Sequence, residues 1–141
     1  MEKRSYFYNI SNSTEYYNAT EKQLLVLVAG PYRSGTNDDP ELIEKNVKVM
    51  TDTALEVYKM GHMPVLGEWL ALPLIHAAGS KKICDEIFNQ IFHPIAVDLI
   101  NHCDAVLRIG GVSAGADEMV KTGKAKGKLV YYATGELPTL K

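Results

Sequence analysis

Short, continuously apolar runs divide this chain, and between them the hydrophobic residues fall at helical spacing. Leu24–Gly30 (LLVLVAG) is the first such run and ends in glycine. A strand without a polar position is one buried on both faces, as in a parallel sheet. Asp39-Pro40-Glu41 then carries a helix start: a capping carboxylate, proline at the first helical position and an early acid. The helix is predicted to run to about Lys59, with Leu42, Val49, Thr53, Leu55, Val57 and Met60 on its apolar side and Gly61 ending it. His62–Leu66 predicts a short second strand, which Pro64 weakens as a central member of a sheet. Gly67–Pro73 leads an apolar stretch predicted helical to Ala78, and Gly79-Ser80 breaks it. A long helix is predicted from about Lys81 to His102, kinked or divided at Pro94. Asp104–Ile109 is the third predicted strand, Ala116–Lys126 a helix closed by Gly127, and Leu129–Tyr132 the fourth strand.

Strands alternating with helices predict an α/β domain with right-handed crossovers. The expected architecture is a flavodoxin- or Rossmann-like three-layer sandwich around a parallel sheet of four to five strands. In such sheets ligands bind outside the carboxyl ends of the strands, near a topological switch point. Pro31–Asp38, Gly67–Trp69 and Gly110–Asp117 are the segments that leave those ends, and they are also the richest in glycine and polar functional groups. Residues 1–22 have a different composition, rich in Asn, Ser, Thr and Tyr with no sustained period. They are read as a tail or arm ahead of a single domain at 23–141. Its aromatics Tyr6, Phe7, Tyr8, Tyr16 and Tyr17 are candidates to pack on a neighbouring subunit or over the site.

Length and charge narrow the classes. At 141 residues the chain is long enough for one domain with a substantial core. A net charge of −2 removes the electrostatic motive for binding a nucleic-acid polymer. No apolar run approaches the ~20 residues of a membrane span, and the N-terminus lacks the basic-then-apolar order of a signal peptide. A cytoplasmic protein with no membrane partner is expected. In that setting the sequons at Asn9, Asn12 and Asn18 are chance matches. Cys84 and Cys103 are expected to be buried free thiols.

Chemistry concentrates in Gly110–Met119 (GGVSAGADEM), directly after the third strand. Two glycines and a Ser-Ala-Gly turn lead into a helix start, where unpaired amides favour an anion. Ser113, Gly111 and Gly115 are binding candidates; Asp117 and Glu118 are candidate reactive carboxylates, since a helix N-terminus favours the ionised form. The same residues also suit plain capping, Ser113 as cap and the acids against the helix dipole. After the first strand, Gly30 allows close backbone approach, Tyr32 offers a hydroxyl or a ring, and Arg33 can pair with a phosphate. Glu68 and Trp69 follow the second strand as an acid and an indole suited to a base, although Trp69 is equally a core anchor. Neither the dinucleotide fingerprint, the P-loop nor the G-x-S-x-G elbow is present. No His or Cys spacing suits zinc, so no metal is expected.

VAGPYRSG after the first strand, GHMPVLGEW around the second and CDAVLRIGGVSAGADEMV around the third give the chain a family resemblance. It resembles the nucleoside 2-deoxyribosyltransferase-like proteins, and within them a small bacterial branch, the DUF4406-type proteins. The likeness covers about residues 24–138. It implies cleavage of the N-glycosidic bond of a 2'-deoxynucleoside or its monophosphate. A glutamate attacks the anomeric carbon, and water or a second base resolves the glycosyl-enzyme, as in retaining glycosidases. It further implies a 5'-phosphate held by Ser113 and Gly115, a sugar and phosphate flanked by Gly30, Tyr32 and Arg33, and a homodimer or higher homo-oligomer. No cofactor is implied. The chain departs from the family twice. The family's nucleophile stands six residues after the turn serine, where this chain has Met119; Glu118 is one residue early, about 100° round a helix. A frequent family Asp falls at Ala96, with His93 and Asp98 near but not equivalent.

The expectation is therefore an N-glycosidase or deoxyribosyltransferase-like enzyme acting on a nucleotide or related N-ribosyl compound, with Glu118 as nucleophile and Asp117 assisting. The alternative is a catalytically silent nucleotide-binding module, a sensor or a partner protein. A phosphoribohydrolase reading ranks last, because the longer P-G-G-x-G-T-x-x-E motif of those enzymes is absent.

Overall fold

A computed structural model describes residues 22–140. Strand β1 (Leu25–Ala29) is followed by helix α1 (Pro40–Lys59), strand β2 (Met63–Val65) and helix α2 (Gly67–Ala77). Helix α3 (Glu86–Ile100), strand β3 (Ala105–Arg108), helix α4 (Ala114–Ala125) and strand β4 (Leu129–Tyr131) complete the frame, and a short 3-10 turn closes at Thr134–Glu136. The four strands form one sheet in the order β2-β1-β3-β4, every pairing parallel. This is the expected α/β sandwich. Pro64 lies in β2, an edge strand, where a missing ladder donor is tolerated.

Successive strand residues point to opposite faces, and β1 is apolar at both sets of positions. Val26 and Val28 pack with Ala105, Leu107, Met50, Ala54 and Val57 on the α1 side. Leu27 and Ala29 pack with Val106, Ile100, Met119 and Val120 on the side of α3 and α4. Three layers result. Asp104 receives the Leu25 amide at 2.8 Å, tying the start of β3 to that of β1. The buried His62 accepts the Leu24 amide at Nδ1 (3.0 Å), so its Nε2 carries the proton and donates to the Pro138 carbonyl.

Several local expectations are corrected. The buried stripe of α1 is Ile43, Met50, Ala54 and Val57, whereas Leu42, Val49 and Leu55 are exposed. Positions 43, 50, 54 and 57 recur at whole helical turns, and the sheet face selects that stripe. The helix expected from Lys81 begins only at Glu86, because the Asp85 carboxylate caps it by accepting the Phe88 amide at 2.8 Å. Hydrogen bonds from the Phe88 and Lys81 amides hold that carboxyl down at about 2. Pro94 does not divide α3; its fixed φ fits a helix, and it lies on the exposed side, where water can solvate a carbonyl left without a donor. Helix α4 starts at Ala114 rather than Ala116, since Ser113 is its cap. Cys103 is a buried thiol, but Cys84 is exposed in the loop before α3. The tail expected over 1–22, its aromatics and the sequons lie, apart from Lys22, outside the described residues. Among the described residues no helix is long and apolar enough to cross a membrane.

Candidate active site

The chain leaves β1 towards β2 on one side and passes from β3 to β4 on the other, so the strand order reverses between β1 and β3. Two loops diverge there and open a crevice. Gly30 and Gly110 let the loops approach. A Cβ on Gly30 would meet Ile109 Cγ1 at 3.1 Å and Met50 Cγ at 3.2 Å. Gly110 has φ +81°, and a Cβ there would stand 2.6 Å from Pro31 Cδ.

The crevice is a cavity of about 320 Å³. Its floor is the end of β1 with Gly30, and its sides are the β1 loop, the first turn of α2, one face of α3 and the first turn of α4. Of the sequence-predicted residues, Gly30, Tyr32, Arg33, Glu68, Ser113 and Gly115 line it together.

Ser113 is buried, and its Oγ accepts the Ala116 amide at 3.1 Å. Capping and cavity lining are thus one arrangement, because the hydroxyl proton remains available to a ligand. The Ala114 and Gly115 amides belong to the helix's first turn, where no intrahelical acceptor exists. An anion fits there.

Glu68 occupies the first turn of α2 and faces the cavity. Burial pushes its carboxyl up to about 7, against a smaller downward pull from its own backbone amide. Tyr32 is pushed up as well, first by burial and then by the Glu68 charge, with Arg33 acting in the opposite sense. Tyr32 stacks obliquely on Phe92 (4.9 Å between centroids), and Phe92 on Phe88 (4.7 Å), making an aromatic wall.

Arg33 is less free than its sequence suggested. Its Nε and Nη2 donate to both carboxylate oxygens of Asp38 at 2.7 and 2.8 Å, and its Nη1 lies against Cys84 Sγ. The Asp38 hydrogen bond holds the guanidinium protonated more firmly than usual.

The carboxylates expected to do chemistry fall elsewhere. Asp117 pairs with Arg108 at 3.0 Å. The same guanidinium donates to the Ile109 and Gly111 carbonyls, so Asp117 and Gly111 belong to a brace behind the β3–α4 loop. Glu118 is exposed and does not line the cavity; the next residue, Met119, turns inward instead. One residue on a helix is about 100°, and Met119 takes the inward direction as part of the core beside β1. Trp69 is 41% exposed and also stands outside the cavity, neither core anchor nor base platform.

No family model matches this chain, and no curated protein does.

Sequence reasoning passed over Phe88, Asn89 and Phe92 on α3, together with the lining role of Ser34, Cys84, His93 and Ala96. Phe88, Asn89, Phe92, His93 and Ala96 recur at helical spacing, which is a legible stripe. Spacing alone does not say that it faces a cavity rather than a core. Ala96 stands against Gly67, whose Cβ would be 3.3 Å from its own, so small residues there let α2 and α3 close on each other. Among the described residues no cluster of three His, Cys, Asp or Glu could hold a metal.

Proposed function

We propose that this protein cleaves the N-glycosidic bond of a nucleotide or related N-ribosyl compound as an N-glycosidase or deoxyribosyltransferase-like enzyme, with Glu68 as the reacting carboxylate. The observation that carries the reading is Glu68 itself, the one carboxylate among the residues lining a cavity at the switch point of the sheet. Its raised pKa reports an anion that burial disfavours. A sugar carbon gaining positive charge supplies the missing compensation, and supplies it in the transition state rather than in the free protein. At neutral pH a substantial part of Glu68 is ionised, enough to attack the anomeric carbon or to shield it while water attacks. Ser113 Oγ and the Ala114 and Gly115 amides receive the phosphate, and the wall of Tyr32, Phe92 and Phe88 takes the flat base. The chemistry calls for no cofactor. The proposal includes a cytoplasmic location and a homo-oligomeric assembly.

A second reading is a nucleotide-binding module without catalysis, favoured by Met119, an apolar side chain lining the cavity on the helix where an acid was expected. One assay separates the two. Purified protein is incubated with ribo- and deoxyribonucleoside monophosphates, with and without a second free base, and base release is followed by chromatography. Release that Glu68→Gln abolishes supports the enzyme, and base exchange marks a transferase. Binding by calorimetry without release of any base establishes the module and overturns the enzyme.

A further inference from the structure

Cleaving a glycosidic bond requires two groups: one facing the anomeric carbon and one giving a proton to the leaving base. This inference rests on the glycosidase reading above. Glu68 can fill the first role, and the cavity holds no second carboxylate among its lining residues. The proton must therefore come from another kind of side chain. Tyr32 is a weakened acid, since burial and the Glu68 charge both raise its pKa. Arg33 stays protonated, its Nε and Nη2 committed to Asp38 and its Nη1 lying against the Cys84 sulfur. Ser113 and Ser34 are alcohols, Asn89 does not titrate, and the Cys84 sulfur is taken up by Arg33 Nη1. His93 remains, an imidazole whose two ring nitrogens can each give or accept a proton. It lies on the cavity face of α3, one turn after Asn89 and directly after Phe92 of the aromatic wall. A base stacked on that wall would lie beside it.

We propose that His93, which lines the same cavity as Glu68, is the general acid that protonates the departing base. In the first step the bond from the anomeric carbon to the base nitrogen breaks, and its electron pair leaves with the base. The His93 imidazolium gives the base a proton, and a Glu68 oxygen bonds to the carbon. In the second step water attacks that carbon, the Glu68 oxygen departs with its electron pair, and His93 takes the proton from the water. Both side chains return to their starting states.

A leaving group that needs no proton exposes the role. The probes are an unmodified guanosine monophosphate and its N7-methylated form, whose base already carries a positive charge. His93→Gln should lower base release from the unmodified nucleotide by about 100-fold or more. Release from the methylated nucleotide should fall by only a few fold. With His93→Ala, added imidazole should restore part of the lost release. Equal losses on both nucleotides would make His93 a binding or structural residue, and unchanged rates would remove it from the reaction; either outcome overturns the assignment while leaving the glycosidase reading intact. If the unaltered protein releases base from neither nucleotide nor from any other monophosphate of the panel, the glycosidase reading and the His93 assignment fall together.

Discussion

Replacing Glu68 with glutamine should make the protein more stable, and the gain should depend on pH. Burial raises the Glu68 carboxyl from its ordinary 4.5 to about 7 in the folded protein. In the unfolded chain it returns to the ordinary value. Between pH 4.5 and 7 the folded state therefore binds more protons than the unfolded state, and stability falls as pH rises through that window. Above pH 7 the whole penalty is present. At about 1.4 kcal/mol for each tenfold difference in proton affinity, it amounts to about 3 kcal/mol. Glutamine has nearly the same shape and no charge to bury, so it escapes the penalty. Urea unfolding of both proteins at pH 4 and at pH 8 measures it. The two should be nearly equal at pH 4, and the variant should be ahead by about 3 kcal/mol at pH 8, or roughly 10 °C in Tm. A difference that is the same at both pH values, or below ~0.5 kcal/mol at pH 8, would show that Glu68 is not a buried, uncompensated carboxylate. Glu68 would then carry no burial penalty for a cationic sugar carbon to relieve. A stability cost borne by a group in the site is what catalytic sites commonly show.

Two further outcomes follow from the same geometry. Glu118→Gln should leave base release within about twofold, because Glu118 is exposed outside the cavity; chromatography of the same reactions checks this, and a loss as large as that of Glu68→Gln would return the chemistry to α4. Gly110→Ala should destabilise the fold by about 1–3 kcal/mol in denaturant unfolding, since it places a Cβ at φ +81° and 2.6 Å from Pro31 Cδ. An alanine variant as stable as the parent would mean that the two loops do not meet there.

The frame of this protein was legible in its sequence because its signals are local. Leu24–Gly30 has no polar position, so it reads as a strand covered on both faces wherever it folds. Asp39-Pro40 starts a helix through bonds to its own next residues, and Pro64 marks an edge through the donor it lacks. Alternation of such elements determined the parallel α/β sheet, and with it the end of the sheet where a site would open. Which side chains enter that site was a different matter. Glu118 and Met119 are neighbours in sequence, and only the angle at which α4 docks on β1 and β3 turns methionine inward and glutamate outward. Asp117 pairs with Arg108, a partner on the preceding strand that turns the acid's charge to bracing the loop. The pKa of Glu68 is not a property of its local sequence either. It comes from the lining that α3, β1 and the β1 loop place around it, and desolvation depends on what surrounds a charge in three dimensions. His93 joins that lining for the same reason: α3 lays one stripe along the cavity, and the helix period alone does not say which stripe meets a ligand.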